Sequence, residues 1–191
     1  MGKRICVYCA SSNRIASHYF EAAEAFARLA VVGGYSLVCG GSWRGLMGAL
    51  VEATLACGGE IEGVIPKFMC SAEWQDKRIR NLTVVESMQE RKTLLMKDVA
   101  AVVALPGGPG TLEELSEVIS LKRLGFFSPP IIIYNHQGFY NKLIDFFEWL
   151  RRENMLSPNQ PNAWVVAHTV DEIIPAIEAA PMWRSDLNSH L

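Results

Sequence analysis

The chain has 191 residues, of which 50% are hydrophobic and 20% charged, and its formal net charge is −2 at pH 7. This composition suits one soluble globular domain with a real core, and the near-neutral charge gives no support for a nucleic-acid or membrane-surface partner. No apolar run reaches the ~18–20 residues of a membrane span, and the apolar stretch near the N-terminus is too short for a secretory signal. We therefore expect a cytoplasmic protein.

Short apolar runs alternate with longer amphipathic runs along the chain. The predicted strands are 4–9, 35–39, 60–65, 83–85, 100–105 and 130–134, with a weaker one at 164–167. The predicted helices are 17–32, 43–56, 88–97, 111–124, 138–152 and 169–179. Several strands, such as VVAL and IIIY, are apolar on both faces, which is typical of a parallel sheet covered by helices. The pattern predicts an α/β fold, Rossmann-like and doubly wound, in one domain over 1–191 with a peripheral tail at 181–191.

The five cysteines are Cys6, Cys9, Cys39, Cys57 and Cys70. An odd number without a secretory signal favours a reducing, cytoplasmic compartment. Cys6 and Cys9 have C-x-x-C spacing, but residues three apart in a strand point to opposite faces, so we expect small core residues rather than a redox or metal pair. The four histidines lack metal-ligand spacing, and we predict no metal site.

Ligands of open α/β sheets bind beyond the carboxyl ends of the strands, and two early loops there have unusual compositions. Residues 9–13, CASSN, offer two hydroxyls and an amide to a phosphate or a sugar, although a turn with Ser17 as a helix cap explains the same residues. Residues 39–48, CGGSWRGLMG, are rich in glycine but match neither the G-x-G-x-x-G nor the Walker A spacing. A mononucleotide therefore fits this loop better than NAD or ATP.

The third loop lies in ALPGGPGTLEELSEVI, residues 104–119. Its glycines leave backbone N–H groups bare and the helix start adds partial positive charge, so a phosphate fits there. Thr111 is a natural N-cap, and Glu114 has the capping-box spacing from it, which is a purely structural alternative for Glu114. Because Glu113 has no such role, the adjacent carboxylates also suit a reacting carbon that develops positive charge.

A fourth segment, SMQERKT at 87–93, begins the helix before the glycine-rich strand. Arg91 could clamp a phosphate or orient a sugar hydroxyl with its planar donors. The alternative is that Arg91 and Lys92 belong to a solvated helix face, with Glu90 and Lys97 nearby.

Together, PGGPGTLEE, the preceding MQERK and the earlier GGSWRGLMG resemble the PGGxGTxxE signature of the Lonely Guy (LOG) family over about residues 4–180. The resemblance implies a phosphoribohydrolase that cleaves the N-glycosidic bond of AMP or N6-modified adenosine 5′-monophosphates, giving the free adenine or cytokinin base and ribose 5-phosphate. It implies no metal or cofactor, and it makes Arg91 and Glu114 the catalytic pair. The residues that it implies as substrate contacts are Glu73, Arg91, Lys92, Gly107, Gly108, Pro109, Gly110, Thr111, Leu112, Glu113 and Ser120.

The resemblance also implies a homodimer in which both subunits complete the site, with further assembly in some members. The chain departs from the common pattern at Ala10, Arg14, Ser42 and Gln89, so the preferred base stays open. Two alternatives to the hydrolase remain: a non-catalytic module that binds or carries a mononucleotide, and a pyridoxal-dependent decarboxylase, the activity under which the family was long labelled.

Overall fold

Apolar strands pair into one parallel sheet in the computed structural model, which describes residues 3–72, 74–156, 163–181 and 183. The strands are β1 Lys3–Tyr8, β2 Tyr35–Cys39, β3 Ile61–Pro66, β4 Asn81–Val85, β5 Ala101–Ala104, β6 Ile131–Tyr134 and β7 Val165–Ala167. Their order is β4-β3-β2-β1-β5-β6-β7, and every neighbouring pair is parallel. The Rossmann-like, doubly wound architecture is confirmed.

Helices cover both faces of the sheet. They are α1 Ser17–Val32, α2 Gly45–Ala56, α3 Lys67–Ser71, α4 Met88–Met96, α5 Pro109–Arg123, α6 Asn141–Arg152 and α7 Ile173–Ala179. One core cluster joins the sheet to α1, α2 and α7, and a second joins it to α4, α5 and α6. Cys6 lies in the second cluster and Cys9 in the first, so the two thiols face opposite sides of the sheet as predicted.

The N-cap residues of two helices differ from the predicted ones. Helix α5 begins at Pro109 with Gly108 as its N-cap residue, so the prediction that Thr111 caps this helix is wrong. Proline is well suited to the first helical position because its missing N–H has no partner to lose there. Similarly, α1 has Ala16 as its N-cap residue and no side-chain cap, so Ser17 does not cap it.

The chain order of the strands creates a crevice beside β1. From β1 the chain builds outward through β2, β3 and β4, and then returns to place β5 on the other side of β1. Such a reversal opens a crevice at the carboxyl edge of the sheet. Within the described residues, no helix is long and apolar enough to cross a membrane.

Candidate active site

A cavity of about 700 Å³ lies at this edge, where the loops after β1, β2 and β5 meet α4 and the start of α5. Its polar and charged lining consists of Tyr8, Cys9, Ser11, Ser12, Asn13, Arg14, Ser42, Arg44, Arg91, Thr111 and Glu114. Its apolar lining includes Met47, Met69, Trp74, Met88 and Leu95. The glycine-rich loop contributes Gly108, Pro109 and Gly110. The cavity is therefore lined by charged side chains, by the glycine-rich loop before α5 and by apolar side chains.

Arg91 and Glu114 form a buried ion pair in this cavity. Arg91 Nη1 donates to Glu114 Oε1 over 3.1 Å, and Arg91 Nε donates to the Val64 carbonyl over 3.1 Å. The two side chains are only 10% and 11% exposed. The structure thus brings the two residues of the predicted catalytic pair together. Because the N-cap residue of α5 is Gly108, which has no side chain, the capping-box alternative for Glu114 does not apply.

The surroundings of Glu114 disfavour its charged form. Burial raises the pKa of the Glu114 carboxyl, the positive charge of Arg91 opposes that rise, and nearby Glu113 adds to it. Desolvation and like charge both penalise a carboxylate, whereas an adjacent cation favours it. A titratable group balanced in this way inside a cavity is typical of catalytic sites.

Gly40 leaves the space that the guanidinium of Arg91 occupies. A Cβ atom at this position would lie 2.1 Å from Arg91 Nη2 and 2.9 Å from Met47 Sδ. The glycine-rich sequence of the loop after β2 favours a nucleotide-binding element. For Gly40 the structure shows a different reason, which is close packing against the Arg91 side chain.

The loop between β5 and α5 exposes its backbone to the cavity. A Cβ atom at Gly108 or at Gly110 would meet no heavy atom of the described residues within 4 Å, so none of these residues packs against the two positions. The loop is held from behind, because the Ala10 N–H donates to the Pro106 carbonyl over 3.1 Å. The Tyr140 hydroxyl also donates to the Leu105 carbonyl over 2.7 Å. The open side of these glycines and the start of α5 suit the binding of an anion.

Several predicted substrate contacts lie outside the cavity lining. They are Lys92, Gly107, Leu112, Glu113 and Ser120. The Lys92 ammonium contacts the Glu113 and Glu117 carboxylates at 2.5 and 3.0 Å, and these carboxylates raise the pKa of Lys92. The Ser120 hydroxyl donates to the Ser116 carbonyl on an exposed face of α5. Glu73 lies outside the described residues.

Sequence reasoning missed the side of the cavity that the loop after β2 builds with the segment after α3. The Trp43 N–H donates to the Trp74 carbonyl over 3.2 Å, and the Asp76 N–H donates to the Gly41 carbonyl over 2.9 Å. The Arg44 guanidinium lies over the Trp74 ring, 5.0 Å from its centre. The signal that could have found Arg44 is its place inside GGSWRG, a segment already singled out for its glycines.

The amino-acid sequence is similar to those of known proteins. The family model described as "Possible lysine decarboxylase" matches residues 47–177. A probable cytokinin riboside 5′-monophosphate phosphoribohydrolase of Oryza sativa subsp. japonica, LOGL3, is 37% identical over 92% of this chain and 83% of its own length. The cytokinin riboside 5′-monophosphate phosphoribohydrolase LOG5 of Arabidopsis thaliana is 35% identical over 93% of this chain and 78% of its own.

Solved structures share the fold at lower identity. The molybdenum cofactor carrier protein of Chlamydomonas reinhardtii superposes with a TM-score of 0.72 at 20% identity, over 93% of this chain and 97% of that one. The molybdenum cofactor binding protein of Rippkaea orientalis gives 0.71 at 17% identity, over 94% and 97%. At such identities the likeness concerns the fold alone.

Proposed function

Because the chain belongs to the Lonely Guy (LOG) family, we propose that it is a hydrolase of nucleoside 5′-monophosphates, a phosphoribohydrolase. It cleaves the N-glycosidic bond of adenosine 5′-monophosphate or its N6-modified forms, and it releases the free base and ribose 5-phosphate. The observation that carries this proposal is the buried ion pair of Arg91 and Glu114 beside an uncovered glycine-rich loop. The relatives with 35–37% identity carry the same activity in their names.

We place the 5′-phosphate on the loop before α5. The N–H groups at Gly108, Gly110 and Thr111 belong to the first residues of a helix, where backbone donors lack intrahelical partners and the helix dipole is positive. Binding energy from the phosphate, which does not react, can then hold the sugar in position for cleavage. Binding of the phosphate and positioning of the sugar in this way require neither a metal nor a cofactor.

We assign the reacting centre to Glu114. Departure of the base leaves positive charge on the anomeric carbon, and a nearby carboxylate stabilises that charge. The same carboxylate can accept a proton from the attacking water, whose oxygen bonds to the anomeric carbon while the base nitrogen takes up a proton. Arg91 orients the sugar and Glu114, since a guanidinium keeps its protons and is a poor proton donor. We assign Glu113 to the ribose hydroxyls.

We further propose a cytoplasmic homodimer in which the partner subunit completes the site. Apolar side chains close to the cavity, Phe68, Met88 and Leu112, are 58%, 38% and 36% exposed in the single chain. A second subunit that covers them would also enclose the substrate. Such an arrangement would bring Lys92, Glu113 and Ser120, which lie outside the lining, into a composite site.

The proposal is tested by measuring free base after incubation with AMP and with isopentenyladenosine 5′-monophosphate. Glu114→Gln keeps the shape of the side chain and an oxygen for Arg91 but removes the charge and the proton acceptor, so base release should fall about 100-fold or more. The matched control is Glu60→Gln at an exposed position, which should retain wild-type activity. Binding of AMP without release of base by the wild type would indicate the non-catalytic module instead. Near wild-type turnover in Glu114→Gln would refute the assignment of Glu114.

A further inference from the structure

The cavity contains a second buried guanidinium nitrogen, in Arg44, that the mechanism above does not use. Arg44 lines the cavity, and its Nε atom is buried with no hydrogen-bond partner among the described residues. No ion pair in the described part of the chain involves Arg44. The Nε atom is shielded, so a ligand would bond to the terminal Nη1 and Nη2 groups of the same guanidinium, which also have no hydrogen-bond partner among the described residues. A guanidinium without an acceptor costs free energy, so a partner is expected when the cavity is filled.

The backbone and the Trp74 ring fix the direction of the Arg44 side chain. Arg44 is the N-cap residue of α2, and its own N–H donates to the Ser42 hydroxyl over 3.2 Å. Its guanidinium lies over the Trp74 ring. Stacking occupies the flat face of a guanidinium and leaves its N–H groups, which lie in the plane, free for a ligand. Two parallel N–H groups in that plane match the oxygens of a phosphate.

Three loops bring Arg44 and the phosphate-binding loop to the same cavity. The Leu46 N–H, at the start of α2, donates to the Ala10 carbonyl over 2.9 Å. The Ala10 N–H in turn donates to the Pro106 carbonyl. The loop after β1 is therefore bonded on one side to the segment that carries Arg44 and on the other to the segment that leads to Gly108.

The charges in the cavity indicate which ligand group Arg44 would bind. A phosphate monoester carries a charge of about −1.5 to −2 at pH 7, and backbone amides offer it only partial positive charge. Glu114 adds negative charge beside these amides, and the charge of Arg91 is committed to Glu114. Lys92, which lies outside the cavity lining, is paired with Glu113 and Glu117. Of the other cavity-lining arginines, Arg14 is exposed, whereas Arg44 is half-buried and its guanidinium has no hydrogen-bond or ion-pair partner among the described residues.

We propose that Arg44, held over the Trp74 ring, binds the 5′-phosphate of the substrate and sets the preference for nucleotides over nucleosides. This inference rests on the proposed function, since it takes the ligand to be a nucleoside monophosphate. It assigns to Arg44 a role in binding rather than in bond cleavage.

The test compares Arg44→Met with the wild type, using AMP and adenosine as substrates. Losing a charge-assisted hydrogen bond to the phosphate should raise KM for AMP about 10- to 100-fold, while kcat stays within about twofold. Cleavage of adenosine, which has no phosphate, should be unchanged. The matched control is Arg28→Met on the exposed side of α1, where the arginine pairs with Glu24; it should leave both substrates unaffected. An equal loss for AMP and adenosine, or no loss for either, would overturn the proposal.

A second variant, Arg44→Lys, and a binding measurement separate a role of Arg44 in phosphate binding from an effect on folding. Arg44→Lys retains the charge but loses the Nε–H and the planar stack, so its KM for AMP should lie between those of the wild type and Arg44→Met. Thermal unfolding of each variant reports whether the fold survives. If the wild type released no base at all, the proposed function would fail, and calorimetric binding of AMP and adenosine would still test Arg44. Weaker binding of AMP alone in Arg44→Met supports the inference, and unchanged AMP binding refutes it.

Discussion

Arg91 donates to the Val64 carbonyl and to Glu114, and its charge is what favours the ionised form of this buried carboxyl. Burial already raises the pKa of Glu114. Arg91→Met removes the opposing influence, so the pKa of Glu114 should rise further. Since the ionised carboxylate is the active form, activity is lost as pH falls through this pKa. The acidic limb of the kcat/KM profile for AMP should therefore move to higher pH in Arg91→Met.

The position of that limb separates an electrostatic role of Arg91 from a purely steric one. The profile is measured from about pH 5 to about pH 9, and each curve is normalised to its own maximum, because Arg91→Met also loses a positioning group. Lys97→Met, which removes a cation from the exposed end of α4, should leave the limb in place. An unchanged limb in Arg91→Met would mean that Arg91 does not tune Glu114.

At the scale of elements, the start of α6 holds the end of β5 and with it the loop before α5. The Tyr140 hydroxyl donates to the Leu105 carbonyl, and the Tyr140 N–H donates to the Asn135 side chain over 2.7 Å. Tyr140 is 2% exposed, so Tyr140→Phe leaves a buried carbonyl without this donor. We expect a loss of about 1–3 kcal/mol in the free energy of unfolding, measured by denaturant titration.

The same substitution should raise KM for AMP, because the loop that Leu105 leads into would be less firmly held. Tyr19→Phe is the matched control. The Tyr19 ring packs beside Phe139, and its hydroxyl has no hydrogen-bond partner among the described residues. Its removal should change the stability by less than about 0.5 kcal/mol. If Tyr140→Phe behaved like Tyr19→Phe, the anchoring role of Tyr140 would be wrong.

The elements also show what the sequence could predict and what it could not. The strands were predictable because β5 and β6 are apolar on both faces, a pattern that survives without tertiary information. Helix α3, with five residues, is too short to show a helical period and was not predicted. At the start of α5, Thr111 is a good cap by type, but Gly108 and Pro109 supply the actual start two residues earlier.

Within the candidate site, the resemblance to the family signature predicts Arg91 and Glu114 but not their surroundings. The stack of Arg44 on Trp74 and the bond from Tyr140 to Leu105 join residues far apart in the chain, the second pair by 35 positions. Such contacts depend on which loops the sheet brings together. Neither residue type nor spacing within one segment encodes them.

The sheet divides the core of the molecule into two clusters, and each cluster contains cysteines. Cys6 and Cys9 lie in opposite clusters, and Cys39 is fully buried. Burial raises the pKa of all three thiols, that of Cys39 to about 11. Cys57 is exposed and Cys70 is half-buried, and all five cysteines are free thiols. Reactivity towards a thiol reagent should therefore distinguish the core from the surface.

We expect two thiols to react in the folded protein near pH 8, Cys57 before Cys70, and all five to react in denaturant. Only the thiolate is nucleophilic, and a buried thiol with a raised pKa forms it rarely. Cys6 and Cys39 should therefore react only as fast as the sheet opens, and because they lie on opposite faces, they should become reactive together when the whole sheet unfolds. Cys9 lines the cavity, and its raised pKa should make it react more slowly than the two surface thiols. Cys57→Ser should remove the fastest phase and leave the others unchanged. A third fast thiol in the folded state would contradict the burial of the core, and fewer than five in denaturant without reductant would indicate a disulfide, in conflict with the five free thiols.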